Sequence, residues 1–231
     1  DGAYTEYENP EDKIGRIIYT RTLNNAWNAL YVPFQIELTE EMLANYDIAY
    51  INNVHSYDRD DDGELDDWSI EIVKIKKLAK LKANHPYVIR PKNEEAINLN
   101  ITQIYSTLYN TAPENCIAIT CSSAYKQYAV RGVYSKSESS ELDGGNYVYA
   151  INRYGEWQKM DLTTTLVPFR LYLTVANSDG SPVVDEFAAN SIRMRLVGEE
   201  DDDGTTFIYD VEVDEELKGE NGKVKAIYDL Q

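Results

Sequence analysis

Histidine is scarce in this chain: there are two, His55 and His85, among 231 residues. A serine–histidine or cysteine–histidine mechanism would have to use one of them, and neither sits in a local catalytic signature. His85 precedes Pro86, which biases it to extended backbone, so Asn84-His85-Pro86-Tyr87 reads as the entry to a strand. G-x-S-x-G, P-loop, G-x-G-x-x-G and H-E-x-x-H patterns are missing. The 40 acidic residues offer endless carboxylate pairs, so a glycosidase pair would leave no distinguishable trace. The expectation is a protein that is not an enzyme.

Cysteine is equally sparse. Cys116 and Cys121 lie in one strand-like run, Cys116-Ile117-Ala118-Ile119-Thr120-Cys121. Five extended residues set them roughly 16 Å apart on opposite faces, too far for a disulfide unless the segment bends. They read as small buried hydrophobes, and no C-x-x-C or Cys/His cluster supports zinc or redox chemistry. No run of 18 apolar residues is present, which excludes a spanning helix. The polar opening Asp1-Gly2-Ala3-Tyr4 is not a signal peptide, so any targeting segment is expected upstream. Basic residues are also few, 22 against 40 acids, for a net charge of −18. Such a chain repels phosphate backbones and anionic lipid, so the expected partners include neither nucleic acid nor an inserted membrane.

That charge is concentrated. Residues 58 to 67 carry −6, Glu199 to Asp203 carry −5 and residues 210 to 220 carry −5, which leaves the body of the molecule nearly neutral. Cations are the natural partners of those three segments.

What the chain does have is period-two alternation of β-branched and aromatic residues, with 19 Tyr against 4 Phe to line pleated, half-wet surfaces. Strand-like runs are Arg16 to Leu23, Ala29 to Leu38, Ile48 to Val54, Ser69 to Lys76, Tyr87 to Arg90, Ala96 to Ile101 and Ile117 to Ser122. They continue through Tyr125 to Tyr134, Asn146 to Ile151, Glu156 to Met160, Phe169 to Val175, Ser191 to Val197 and Thr205 to Val213. Between them, Asp62-Gly63, Asp143-Gly144-Gly145, Asn152-Arg153-Tyr154-Gly155, Asp179-Gly180 and Asp203-Gly204 supply residues that tolerate positive φ. This cadence predicts an all-β, antiparallel β-sandwich or jelly-roll-like fold. One short helix is predicted over Glu40 to Tyr46, capped by Thr39, with Glu40 and Glu41 at the positive end of its dipole. Pro33 and Pro168 suggest edge or entry positions, because proline cannot donate to a ladder. The expected organisation is a lead-in over 1–13, a sandwich domain over 14–213, single or as two packed sub-sandwiches, and a linker with the start of a tail over 214–231.

The first acidic segment has metal-like spacing. Asp58, Asp60, Asp62 and Asp66 fall at positions 1, 3, 5 and 9 of an EF-hand-type calcium loop, with Glu64 at 7 and Gly63 at the sharp turn at 6. Position 12, which should offer a bidentate carboxylate, is Ser69, so Asp67 or Glu71 would have to complete the shell. The alternative is a solvated acidic turn without an ion. Calorimetric titration separates them: no heat and no melting shift at millimolar calcium removes the site. The second acidic segment, Gly198 to Gly204, lacks alternating ligand order and reads as a charged hairpin tip.

Tyr147, Tyr149 and Ile151 share one strand face, Tyr154 and Trp157 follow in the next hairpin, and Trp27 with Tyr31 flanks an earlier strand. Trp27, Tyr147, Tyr149, Tyr154 and Trp157 could form a platform that stacks on sugar rings, or they could pack in the core; the pattern allows both.

Four segments, Ile18-Tyr19-Thr20-Arg21-Thr22-Leu23, Trp27-Asn28-Ala29-Leu30-Tyr31-Val32-Pro33-Phe34, Asn84-His85-Pro86-Tyr87-Val88-Ile89-Arg90 and Val167-Pro168-Phe169-Arg170-Leu171-Tyr172, resemble the strand signatures of a β-rich domain of secreted and surface proteins of Bacteroidetes. Such domains often accompany BspA-like leucine-rich repeats. The resemblance covers roughly residues 14 to 213 and implies an adhesin-like role. The family's acidic loop often ends in glutamate where this chain has Ser69, and the closing Ile227-Tyr228-Asp229-Leu230-Gln231 resembles the start of an export tail. The resulting expectation is a non-catalytic surface binding or adhesion module of an exported bacterial protein, extracellular, with a protein or glycan ligand, and calcium-stabilised if the loop binds Ca2+. The alternative is a carbohydrate-binding module of a secreted glycan-utilisation protein.

Overall fold

A computed structural model describes residues 13–57, 67–107, 126–142, 147–177, 179, 181 and 191–197. The chain divides into two units, Asp1–Leu196 and Val197–Gln231, and the architecture below is that of the first. In chain order its elements are β1 Lys13–Thr22, β2 Asn28–Leu30, β3 Ile36–Glu37, α1 Glu40–Asn45, β4 Tyr46–Tyr57, β5 Asp67–Lys74, β6 Lys80–Leu81, β7 Tyr87–Pro91 and β8 Asn98–Thr107. They continue with β9 Lys126–Val133, β10 Ser137–Glu138, α2 Ser139–Leu142, β11 Tyr147–Ile151, β12 Trp157–Lys159, β13 Thr165–Leu166, β14 Arg170–Asn177 and β15 Ser191–Leu196.

The protein is all-β. Nine strands form one sheet in the order β2-β7-β4-β5-β15-β12-β11-β14-β9, antiparallel throughout except where β15 runs parallel to β5. The sheet curls about its own interior, so alternate residues of every one of its strands meet in a central core. Ala29, Val88, Ala49, Ile70, Ile192, Trp157, Tyr149, Leu173 and Val130 each supply one of those inward faces. Strand β4 keeps its inward side across a bulge. Ala49 and Ile51 face the core, the ladder to β5 skips Asn52, and Val54 then takes the inward position that Asn53 would otherwise hold.

The outer face of β2, β7 and β4 is apolar too. Leu30, Ile48 and Ile89 pack under a second layer that contributes Ile36, Leu81, Leu99 and Ile101. That layer is the long β1–β8 antiparallel ribbon, the short β3–β6 pair, and α1. On the other half of the sheet, Val133, Val148 and Tyr172 pack with Leu166 of β13 and, near α2, Leu142. The result is β-sandwich-like, with strands buried on both faces, which is why their sequences read as near-continuous apolar runs.

The α1 helix starts where expected, with Thr39 Oγ1 accepting from Met42 N at 3.1 Å. It ends one residue earlier than expected, because Tyr46 is already extended and opens β4. The run from Ala29 to Leu38 is not one strand: Pro33 lies in a bend and separates β2 from β3. The second helix, α2, was not foreseen, since four residues leave no periodicity to read. An Asn93-capped 3-10 turn, Glu94–Ile97, replaces the start of the strand expected at Ala96. The Asn152 to Gly155 turn forms as expected: Gly155 has φ +80°, and Asn152 Oδ1 accepts from Tyr154 N at 2.8 Å and Glu156 N at 3.1 Å.

Two carboxylates, Asp47 and Glu71, are buried among the described residues. Asp47 of β4 accepts from Arg90 Nη2 at 2.8 Å and pairs with Lys74 at 3.0 Å and Lys92 at 3.8 Å. Burial alone would raise its pKa, but the hydrogen bonds and charges of Arg90 and Lys74 outweigh that and hold it below the ordinary carboxylate value. Arg90 in turn lies over the Trp27 ring, 4.7 Å from its centroid.

Candidate functional site

An open groove of about 610 Å³ lies between α1, β3 and β8. Strand β8 supplies Asn98, Asn100, Thr102 and Gln103; α1 supplies Glu41 and Asn45; Glu37 and Glu95 complete the rim. Rigid elements hold these groups. The cap at Thr39 fixes α1, and half-buried Met42 and Leu43 anchor it on the second core. Gln103 Oε1 accepts from Glu37 N at 3.3 Å, which ties β8 to β3, and Glu37 is also paired with Lys80 at 2.6 Å. On the floor, burial and then the charge of Glu41 raise the pKa of Tyr46, so its phenol stays protonated and can donate.

The side chains of Asn45, Asn100 and Thr102 have no hydrogen-bond partner among the described residues, so their donors and acceptors are available to a ligand. The three carboxylates are spread along the groove. No group of three or more His, Cys, Asp or Glu positioned to hold a metal occurs among the described residues. Planar amides, hydroxyls and dispersed acceptors are the chemistry that reads hydroxyl groups.

The five aromatic residues do not come together as a platform. Trp27, Tyr149 and Trp157 lie in the central core, with Trp157 completely buried. The sheet's curl decides this, because it turns inward the very face that Tyr149 and Ile151 share. Tyr147 is half-buried beneath Lys159 Nζ, 3.6 Å from its ring centroid. Tyr154 alone of the five is exposed, at 65%.

No protein-family model, curated protein or solved structure matches this chain. The site must therefore be read from its own chemistry.

The proposed calcium ligands Asp58, Asp60, Asp62, Glu64 and Asp66 lie outside the described residues, as do Cys116, Cys121, the Gly198 to Gly204 segment and the strand expected at Thr205 to Val213. Their flanks are strands: β4 ends at Tyr57, which pairs with Asp67 at the start of β5. Ser69 is part of β5, and Glu71, two residues on, is buried. Burial raises the pKa of Glu71, while a hydrogen bond with Asn52 and the charge of Arg195 oppose that rise. His85 packs against Tyr87 with ring centroids 4.8 Å apart, and burial followed by the charge of Lys82 lowers its pKa.

The groove has almost no signature in the sequence. Its residues are ordinary polar positions of β8 and α1, and their only signal was the alternation of Asn98, Asn100 and Thr102 on one face.

Proposed function

We propose that this chain is a non-catalytic binding module of an exported, surface-displayed bacterial protein, and that the groove between α1 and β8 holds its ligand. The single observation that carries this reading is the run of polar side chains, Asn45, Asn100 and Thr102, that have no partner among the described residues and stand on rigid elements around a 610 Å³ groove. Groups of that kind, carried on packed elements and with no partner to give up among the described residues, bind hydroxyl-rich ligands at little reorganisation cost. A glycan is therefore the favoured ligand class, and amides and carboxylates rather than stacked aromatics would read it. The strand signatures that resemble surface proteins of Bacteroidetes support the extracellular setting.

Glycan-array screening followed by titration calorimetry tests the reading. An Asn45→Ala, Asn100→Ala double variant should weaken a glycan hit by about 5- to 50-fold, two hydrogen bonds' worth, with the melting temperature unchanged. Equal affinity for the variant and the wild-type protein would place the ligand elsewhere.

A further inference from the structure

A second cleft of about 230 Å³ lies where β1 and the β1–β2 connection meet β11, β13 and β14. In a chain of net charge −18 it is lined by three arginines, Arg21, Arg153 and Arg170, and by three asparagines, Asn24, Asn28 and Asn152. Arg170 is half-buried with Arg21 close enough that their charges repel, and no hydrogen bond or salt bridge holds its guanidinium among the described residues. Burial first, then the charge of Arg21, lowers its pKa to about 10; only Tyr19 opposes them. Arg21 spends Nη1 on Ala29 O at 2.5 Å, and its Nε is buried without a partner. Two crowded guanidiniums without a counter-ion among the described residues carry a cost, which an anion placed between them would remove.

The surroundings are built as well. Asn28, itself buried, donates to Asn24 O at 2.9 Å and Ala26 O at 2.6 Å and accepts from Asn24 N at 3.0 Å, which fixes that wall. Arg153 at the rim stacks on exposed Tyr154, 4.7 Å from the ring centroid. Ala150, Ile151 and Leu166 add an apolar side.

We propose that this cleft binds the carboxylate of an acidic sugar unit, a hexuronate, with Arg170 and Arg21 gripping the anion and the Asn24 amide reading its hydroxyls. The volume suits one monosaccharide, and a guanidinium fork matches the two oxygens of a carboxylate. The site is independent of the α1–β8 groove, so each can fail without the other.

Titration of the full chain with glucuronate, galacturonate, inorganic sulfate and glucose tests it. A hexuronate should bind at least tenfold more tightly than glucose, weaken with added salt, and be displaced by sulfate. Arg170→Gln should lose at least tenfold in hexuronate affinity and yet melt at or above the wild-type temperature, because it relieves the repulsion with Arg21. Arg170→Lys, which keeps the charge but not the fork, should lose severalfold, and exposed Arg153→Gln about two- to fivefold. The proposal is overturned by no hexuronate binding at 20 mM ligand (roughly the weakest useful affinity), by glucose binding equally well, or by unchanged affinity in both Arg170 variants. A melting temperature for Arg170→Gln well below wild type would overturn it too, by making that arginine a structural strut.

Discussion

Trp157→Ala is expected to cost about 3–5 kcal/mol, the range for deleting a large aromatic from a packed core. Against a typical total of about 5–15 kcal/mol, such a loss leaves the variant marginal or unfolded. Trp157 is completely buried and sits on β12, opposite Ile151 of β11 on one side and Ile192 of β15 on the other. Strand β12 therefore links the outer half of the nine-stranded sheet to the half that contains β5, and its side chain fills the space between them. Urea denaturation followed by far-ultraviolet circular dichroism measures the effect, and a loss below about 1 kcal/mol would mean the ring is not at the centre of the fold. Trp157→Phe should cost far less, about 1–2 kcal/mol, because the indole Nε1 has no partner to lose and only volume is given up.

Gly132→Ala should destabilise by about 3 kcal/mol, although it adds a single methyl group. A Cβ at position 132 would sit 2.2 Å from Cδ1 and 2.4 Å from Cγ of Tyr31. That ring cannot swing aside: Tyr31 is fully buried and stacked on Tyr134 with centroids 4.8 Å apart. Tyr134 and Tyr19 each meet Phe169 edge-on, so one aromatic cluster joins β1, the end of β9 and the start of β14. The same alanine introduced into a Tyr31→Ala background should cost less than about 1 kcal/mol, and that coupling identifies the cause as the ring. Additive effects in the cycle would place the strain in the backbone of β9.

Both predictions concern the closeness of strands that are distant in sequence, and this is the kind of information that alternation does not contain. The pattern around Tyr147, Tyr149 and Ile151 marked a strand with one apolar face. It was silent on whether that face met solvent, a sugar or another half-sheet, because period two specifies sides and not neighbours. The groove was hidden for a similar reason: Asn100 is far in the chain from Glu37 and Asn45, and they line one groove only because β8 lies beside β3 and α1. Arg21 and Arg170 stood in two of the segments quoted for the family resemblance, where they looked like strand residues and nothing suggested that they would meet.

The all-β class, the Thr39-capped start of α1, the glycine turn after Asn152 and most strand positions were legible in the amino acids alone, because each rests on local backbone preference and on alternation within a few residues. The parallel β5–β15 junction, the curl that buries Trp27, Tyr149 and Trp157, and the meeting of Arg21 and Arg170 in one cleft arise from tertiary packing alone. These depend on which distant surfaces bury apolar area together, and chain closure over 76 residues, as between Thr22 and Asn98, leaves no local trace.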